Sequence, residues 1–459
     1  MAVPRIVIAG THSGVGKTTL SSGLMALLAQ RHPIQGYKVG PDYIDPSYHR
    51  LATGRPSRNL DSWLLGDELS RLFWQSAQGY WAVIEGVMGL FDGMRGTRGF
   101  GSTAEIAKQV QAPVLLVVDA ASLAQSAAAL VYGFQHYDPE LQLSGVIFNR
   151  VRSSAQEQML RDAIAPLDLP VLGCLPREDR FRLPERHLGL VPVDEQALRQ
   201  GYLAELADFL KEHLDLSGIE RIMSEAPVEL GGLRETFLAS GSQSRDFAGT
   251  RMVRLGIAQD EAFLFYYQDA LDTLKYKGFE LVPFSPLHDL TLPARLDALF
   301  IGGGFPELFL RELSENQEFL ASLRVFAQAK KPIYAECGGF MYLGEQIKDF
   351  EGQTYSLAGL IPMSSQMTVS LQGIGYRKGL LAEDGFLGAQ GSVVHGHEFH
   401  YSKAEFSRAH RPLFHLHKGA ESLHSDGYAE DNIAASYLHL HFTGQPELVD
   451  HWLGFLQGE

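Results

Sequence analysis

The chain has 459 residues, 45% hydrophobic and 20% charged, which excludes a disordered or fibrous protein and predicts two large domains or three ordinary ones. With 39 basic against 54 acidic side chains, the net charge is −15. That balance excludes a general nucleic-acid binder, because phosphate backbones attract basic surfaces.

The predicted elements begin with a β-branched strand at Arg5–Ala9 and a helix at Thr18–Arg31, whose apolar positions are Leu20, Leu24, Leu27 and Leu28. Further strands are predicted at Ala82–Ile84, Val114–Val118, Val146–Phe148 and Val171–Leu172. Continuous apolar runs of this kind suit a parallel sheet covered on both faces. Residues 1–214 are read as one α/β domain. Residues 215–250, small and polar at Ala239–Ser244, are read as a linker. Residues 251–459 are read as a second α/β domain, with strands at Arg254–Ala258, Ala298–Ile301 and Pro332–Ala335 and an apolar-aromatic segment at Ser436–Phe442. The two cysteines, Cys174 and Cys337, allow neither a disulfide framework nor a Cys-x-x-Cys zinc site. A cytoplasmic protein is the expectation. The apolar run at residues 113–118 is far shorter than the roughly 20 residues of a membrane helix.

Gly10-Thr11-His12-Ser13-Gly14-Val15-Gly16-Lys17-Thr18-Thr19 lies between the first strand and the first helix. Backbone N–H groups of such a loop, with the helix N-terminus, cradle phosphates, and glycines let the backbone approach the anion. Residues Ser13 to Thr19 are therefore candidate nucleotide contacts. Lys17 would reach the β- and γ-phosphates and Thr18 would ligate Mg²⁺. The strict G-x-x-x-x-G-K-[ST] pattern fails, since position 11 is Thr. The S-G-x-G-K-T core instead resembles the deviant phosphate loop of the dethiobiotin synthetase and MinD-like group. Asp42 and Asp45, Glu85, and Asp92 follow predicted strands, at the edge where an open α/β sheet binds ligands. Mg²⁺ takes one or two carboxylates beside phosphates, so Asp45 and Glu85 are the candidate ligands with Thr18. Asn149 ends a strand with an amide able to donate to and accept from an adenine edge.

Glu336-Cys337-Gly338-Gly339 places a thiol on a sharp turn between a strand and a helix start, where thiolate is favoured. Upstream, Gly303 and Gly304 end another strand and offer N–H groups for an oxyanion hole. Downstream, His439 offers an imidazole to activate the thiol. Cys174 has no such partners and reads as structural. His395, His397 and His400 read as a strand facing a ligand pocket rather than a metal site. A phosphate loop joined to a thiol–imidazole pair is a coherent machine. One half hydrolyses glutamine through a thioester, and the other activates a carboxylate with ATP so that ammonia gives an amide.

At this point the chain resembles the cobyrinate/cobyric acid glutamine amidotransferase family over nearly its full length. The resemblance rests on Ser13–Thr19, Lys38–Asp45, Gly303–Glu307, Glu336–Gly339, Gly396–His400 and Ser436–His441, and the N-terminal half is similar to dethiobiotin synthetase. It implies an α/β fold with an N-terminal phosphate-loop domain, its sheet mostly parallel, and a C-terminal class I glutamine amidotransferase-like domain. It implies a ligase of cobalamin biosynthesis that amidates the a and c carboxylates of cobyrinate, a corrin polycarboxylate, using ATP, Mg²⁺ and L-glutamine or ammonia. Cys337 would be the nucleophile and His439 its activator. Attack on a γ-phosphate held by the loop would pass through an acyl phosphate, with Asp42 and Asp92 where substrate meets that phosphate. Lys38, Arg95 and Arg98 would line the substrate site. Class I glutamine amidotransferases carry Glu two residues after the catalytic His, but here that position is His441, so what orients His439 stays open. Hydrogenobyrinate or nickel-sirohydrochlorin as substrate, and a phosphate-loop ATPase switch without amidation, stay open too, as does a homodimer.

Overall fold

Arg5–Gly10 (β1) is buried along its whole length, because parallel neighbours flank it on both sides and helices cover both faces of such a sheet. The computed structural model describes residues 3–183, 201–227, 252–419 and 421–458. Two units separate, Met1–Ser62 with Gly66–Ser242, and Trp63–Leu65 with Gln243–Glu459.

In the first unit Ile34–Val39 (β2), Arg58–Leu60 (β3), Trp81–Glu85 (β4), Val114–Asp119 (β5), Leu143–Val151 (β6) and Val171–Pro176 (β7) join β1 in a seven-stranded sheet of order β3-β2-β4-β1-β5-β6-β7. Every pairing is parallel. Lys17–Ala29 (α1) buries Leu20, Leu24, Leu27 and Leu28, the stripe its spacing predicts. β1 lies between β4 and β5, so the loop after it opens at the carboxyl edge of the sheet, beside the end of β4.

The segment expected to be a linker from residue 215 begins on a helix, Leu216–Ser224. Asp215 caps it, accepting from Gly218 N at 2.9 Å, and Ile219 and Met223 enter the core of the first unit. The polar Ala239–Ser244 stretch lies outside the described residues.

The second unit is built on Val253–Ala258 (β8), Phe279–Phe284 (β9), Ala298–Ile301 (β10), Ile333–Glu336 (β11), Tyr428–Glu430 (β12) and Ile433–Ser436 (β13), in the order β9-β8-β10-β11-β13-β12. All pair in parallel except β12, an antiparallel edge. A separate five-stranded sheet contains Gly373–Leu381 and Val393–His400. Val393–His400 pairs with His439–Leu440, setting His397 opposite His439. Among the described residues, no helix is long and apolar enough to cross a membrane.

Candidate active sites

The loop after β1 reverses the chain through Gly14 and Gly16, at φ +80° and +98°, a region open to glycine at little cost. Ser13 and Gly14 are exposed, whereas Val15 is buried against the sheet. A Cβ on Gly16 would lie 2.4 Å from Asn149 Nδ2. Asn149 donates to Val15 O at 2.8 Å and Arg150 donates to Gly14 O at 2.8 Å, so the end of β6 clamps the loop from outside. A cleft of about 400 Å³ adjoins it, lined by Gly16, Thr19, Asp119, Asn149, Arg150 and Pro176. Arg150 and its ion pair with Asp119 escaped the sequence reading. Lys17 is buried and donates to Met88 O at 2.5 Å. Burial, with Lys38 nearby, pushes its pKa down to about 8.

The acidic residues fall into two groups. Glu85, the last residue of β4, is wholly buried. Its Oε1 accepts from Thr18 Oγ1 at 2.7 Å and from Lys38 Nζ at 3.1 Å, and His49 Nε2 lies 2.6 Å from its Oε2. Asp45 Oδ2 meets the same Lys38 ammonium at 2.8 Å. Burial opposes the charge of Lys38, but Asp45 and Glu85 outweigh it and hold its pKa above the ordinary lysine value. Lys38 is thus a buried counter-ion and not the substrate-lining residue expected. Arg95 and Arg98 are exposed on their loop. The carboxylates of Glu85 and Asp45 meet on the Lys38 ammonium, and the Thr18 hydroxyl is bonded to Glu85, so the three residues offer the hard oxygen donors that suit Mg²⁺. In the second group Asp42 Oδ1 accepts from Ile44 N at 2.7 Å and Asp45 N at 3.0 Å, fixing the turn into the helix Asp45–Thr53. Burial and the Asp45 carboxylate push Asp42 up to about 6. Asp92 is exposed and accepts from Gly89 N at 2.9 Å.

In the second unit Cys337 follows β11 directly, at φ 47° and ψ −103°. That strained turn lifts the thiol off the sheet before the short helix Gly338–Leu343, as a nucleophile elbow does. Cys337 N donates to Ser436 O at 2.8 Å. His439 follows β13, the neighbour of β11, so the parallel pairing of these strands brings imidazole and thiol together. Burial disfavours a charged His439. The Cys337 sulfur and the Glu336 carboxylate outweigh that, and its pKa is pushed up to about 10. Glu336 Oε2 lies 3.5 Å from His439 Nδ1. The sequence reading missed this carboxylate; its one signal was adjacency to the cysteine. Gly303 packs against the His439 ring, and Gly304 N faces the start of the Gly338 helix, 3.1 Å from where a Gly338 Cβ would stand. His441 turns elsewhere, stacked on Tyr267 at 4.6 Å, and burial pushes its pKa down to about 3. His397 packs edge-on against Tyr376 and His400 stacks on Tyr437 at 3.8 Å. Among the described residues, no group of three or more His, Cys, Asp or Glu side chains is arranged to hold a metal ion.

Comparison with known proteins matches residues 6–191 to the CobQ/CobB/MinD/ParA nucleotide binding domain and residues 254–447 to the CobB/CobQ-like glutamine amidotransferase domain. Fold and sites together define a glutamine amidotransferase with its own nucleotide-binding half. The cobyrinate a,c-diamide synthase of Synechococcus is 42% identical over 98% of this chain and 97% of its own. Those of Dehalococcoides mccartyi (41%, over 100% and 99%) and Listeria monocytogenes (42%, over 99% and 99%) are similar over the same extent. The chain belongs to the cobyrinate a,c-diamide synthase family.

Proposed function

We propose that this chain amidates the a and c carboxylates of cobyrinate with ATP, taking nitrogen from glutamine or free ammonia. The observation that carries the reading is that one chain holds both a phosphate loop and a Cys337–His439 pair, within a full-length match to proteins of that name. In the glutaminase half, Cys337 Sγ attacks the side-chain carbonyl of glutamine. Gly303 and Gly304 N–H groups face the oxyanion, and His439 gives its proton to the departing ammonia. Water then cleaves the thioester, releasing glutamate and restoring the thiol. In the other half, residues Ser13 to Thr19 hold the triphosphate and Asn149 meets the adenine. Thr18, Asp45 and Glu85 would hold Mg²⁺, which when bound neutralises phosphate charge. A substrate carboxylate oxygen attacks the γ-phosphorus in line and ADP leaves. Ammonia then displaces phosphate from the acyl phosphate, giving the amide. Asp42 and Asp92 stand on the loops where this substrate would meet the γ-phosphate. Two unpaired cysteines support a cytoplasmic location for the enzyme.

The test is turnover with cobyrinate, ATP and glutamine, read by product mass and nucleotide analysis. A diamide, ADP and phosphate are expected, with ¹⁸O from the substrate carboxylate appearing in phosphate. AMP and pyrophosphate would overturn the acyl-phosphate route. Amidation of hydrogenobyrinate or a nickel tetrapyrrole in preference to cobyrinate would overturn the substrate.

A further inference from the structure

Class I glutamine amidotransferases place an acid two residues beyond the catalytic histidine. In this chain that position, His441, is a neutral ring stacked on Tyr267. A buried imidazole that must become imidazolium still needs a fixed acceptor at its second nitrogen. The strand before the nucleophile supplies one. Glu336 is buried at the end of β11, with Oε2 3.5 Å from His439 Nδ1. Its other oxygen is pinned twice, by Tyr334 OH at 2.7 Å and by Leu440 N at 3.0 Å. The second bond ties the carboxylate to the residue after His439, so acid and imidazole move as one unit. Tyr334 and Glu336 are two residues apart on a strand and share a face. Cys337 itself is turned out of the strand by its positive φ.

We propose that Glu336, the residue immediately before the nucleophile, is the positioning residue that orients His439 and balances its charge when Cys337 is a thiolate. The proposal rests on the glutaminase reading of Cys337 and His439. The titratable groups around the His439 ring are Cys337 from the elbow, Glu336 from β11, and His397 and His400 from Val393–His400. Burial pushes His397 and His400 down to about 3 and 4, so both are neutral and offer no counter-charge. Glu336 is the anion that remains once the thiolate has been consumed in the tetrahedral adduct that precedes the thioester. The imidazolium is then needed to protonate the leaving ammonia.

Cys337→Ser and His439→Ala set the reference. Wild-type glutaminase activity in either would remove the glutaminase reading itself. With that reading standing, Glu336→Gln is expected to lower glutaminase kcat/KM by roughly 10²- to 10⁴-fold, the range of a lost acid–base or orienting group. It should also move the high-pH limb of the kcat/KM profile down by about one pH unit or more, because the imidazolium loses its anion. Glu336→Asp keeps the charge but draws the carboxylate back, so an intermediate loss and a smaller downward shift are expected. It also carries the test if the Gln variant does not fold. A purely structural role would lower Tm and leave the pH limb of the folded variants in place. That result, or undiminished kcat/KM in a folded Glu336 variant, would overturn the proposal.

Discussion

Thr18 Oγ1 donates to Glu85 Oε1 at 2.7 Å, joining the start of α1 to the last residue of β4. If Mg²⁺ binds here, both oxygens belong to its shell, and Asp45 stands beside them through Lys38. Glu85→Gln and Asp45→Asn are each expected to raise the Mg²⁺ concentration needed for half-maximal ammonia-dependent synthesis. An unchanged Mg²⁺ titration in both variants would exclude them from the metal shell. Glu85→Gln also removes the anion facing His49 and one of two facing Lys38. Breaking a buried pair from one side costs about 3–5 kcal/mol, which urea unfolding would register.

Lys17→Ala should abolish synthesis with either nitrogen source, because activation of the carboxylate by ATP precedes both. A loss of at least about 100-fold in kcat is expected for removing one preorganised charge from a phosphoryl-transfer site. Glutaminase turnover assayed alone should be spared. Normal ammonia-dependent synthesis in this variant would sink the phosphate-loop assignment.

Cys337→Ser should lose glutamine-dependent synthesis and keep ammonia-dependent synthesis, since the thiolate serves the glutaminase half alone. His439→Ala should behave in the same way. Failure with ammonia as well would mean that the two sites are not separable, or that the unit has collapsed. The raised pKa of His439 sets a pH window. With Cys337 and Glu336 holding it to about 10, the imidazolium persists through neutral and mildly alkaline pH and is lost as pH rises through that value. Glutaminase kcat/KM should therefore stay level to near pH 10 and fall above it. A fall centred near pH 6.5, the value of a free imidazole, would show that the pairing does not operate.

Much of both units is legible in the residues, and the illegible parts have physical causes. β1, β4, β5 and β10 are continuous apolar runs because they are buried on both faces, and the Gly-rich and Glu-Cys-Gly-Gly turns sit where such strands end. β3 escapes because Arg58–Leu60 is too short for any period to show. The helix Leu216–Ser224 was hidden by its polar surroundings, although Leu216, Ile219 and Met223 share a face. Lys38 reads as a substrate cation from its place on the loop. Only the fold reveals that Asp45 and Glu85, far apart in sequence, converge on it. Glu336 is the converse. It stands in plain view beside Cys337, but its partner His439 is brought to it by the parallel pairing of β11 and β13, which no local pattern states.

Gly303 offers a sharper test of the His439 geometry than removing the histidine. A Cβ on Gly303 would stand 2.4 Å from His439 Cε1 and 3.4 Å from each ring nitrogen. The first contact is impossible, so the ring must shift. It is buried and set against Glu336, so it cannot swing into solvent. Overpacking of this kind costs about 1–3 kcal/mol, and a displacement of about 1 Å at a reacting group costs about 10²-fold in rate. Gly303→Ala is thus expected to lower glutaminase kcat by about 10²-fold while ammonia-dependent synthesis continues. Gly304→Ala is the contrast, because its Cβ would stand 1.9 Å from the backbone oxygen of Ala262. There the backbone itself must give, where Gly303–Gly304 pairs antiparallel with Phe263–Phe265, so a marked fall in Tm should accompany the loss. Undiminished glutaminase activity in Gly303→Ala would show that the imidazole does not act from the position it holds against Gly303.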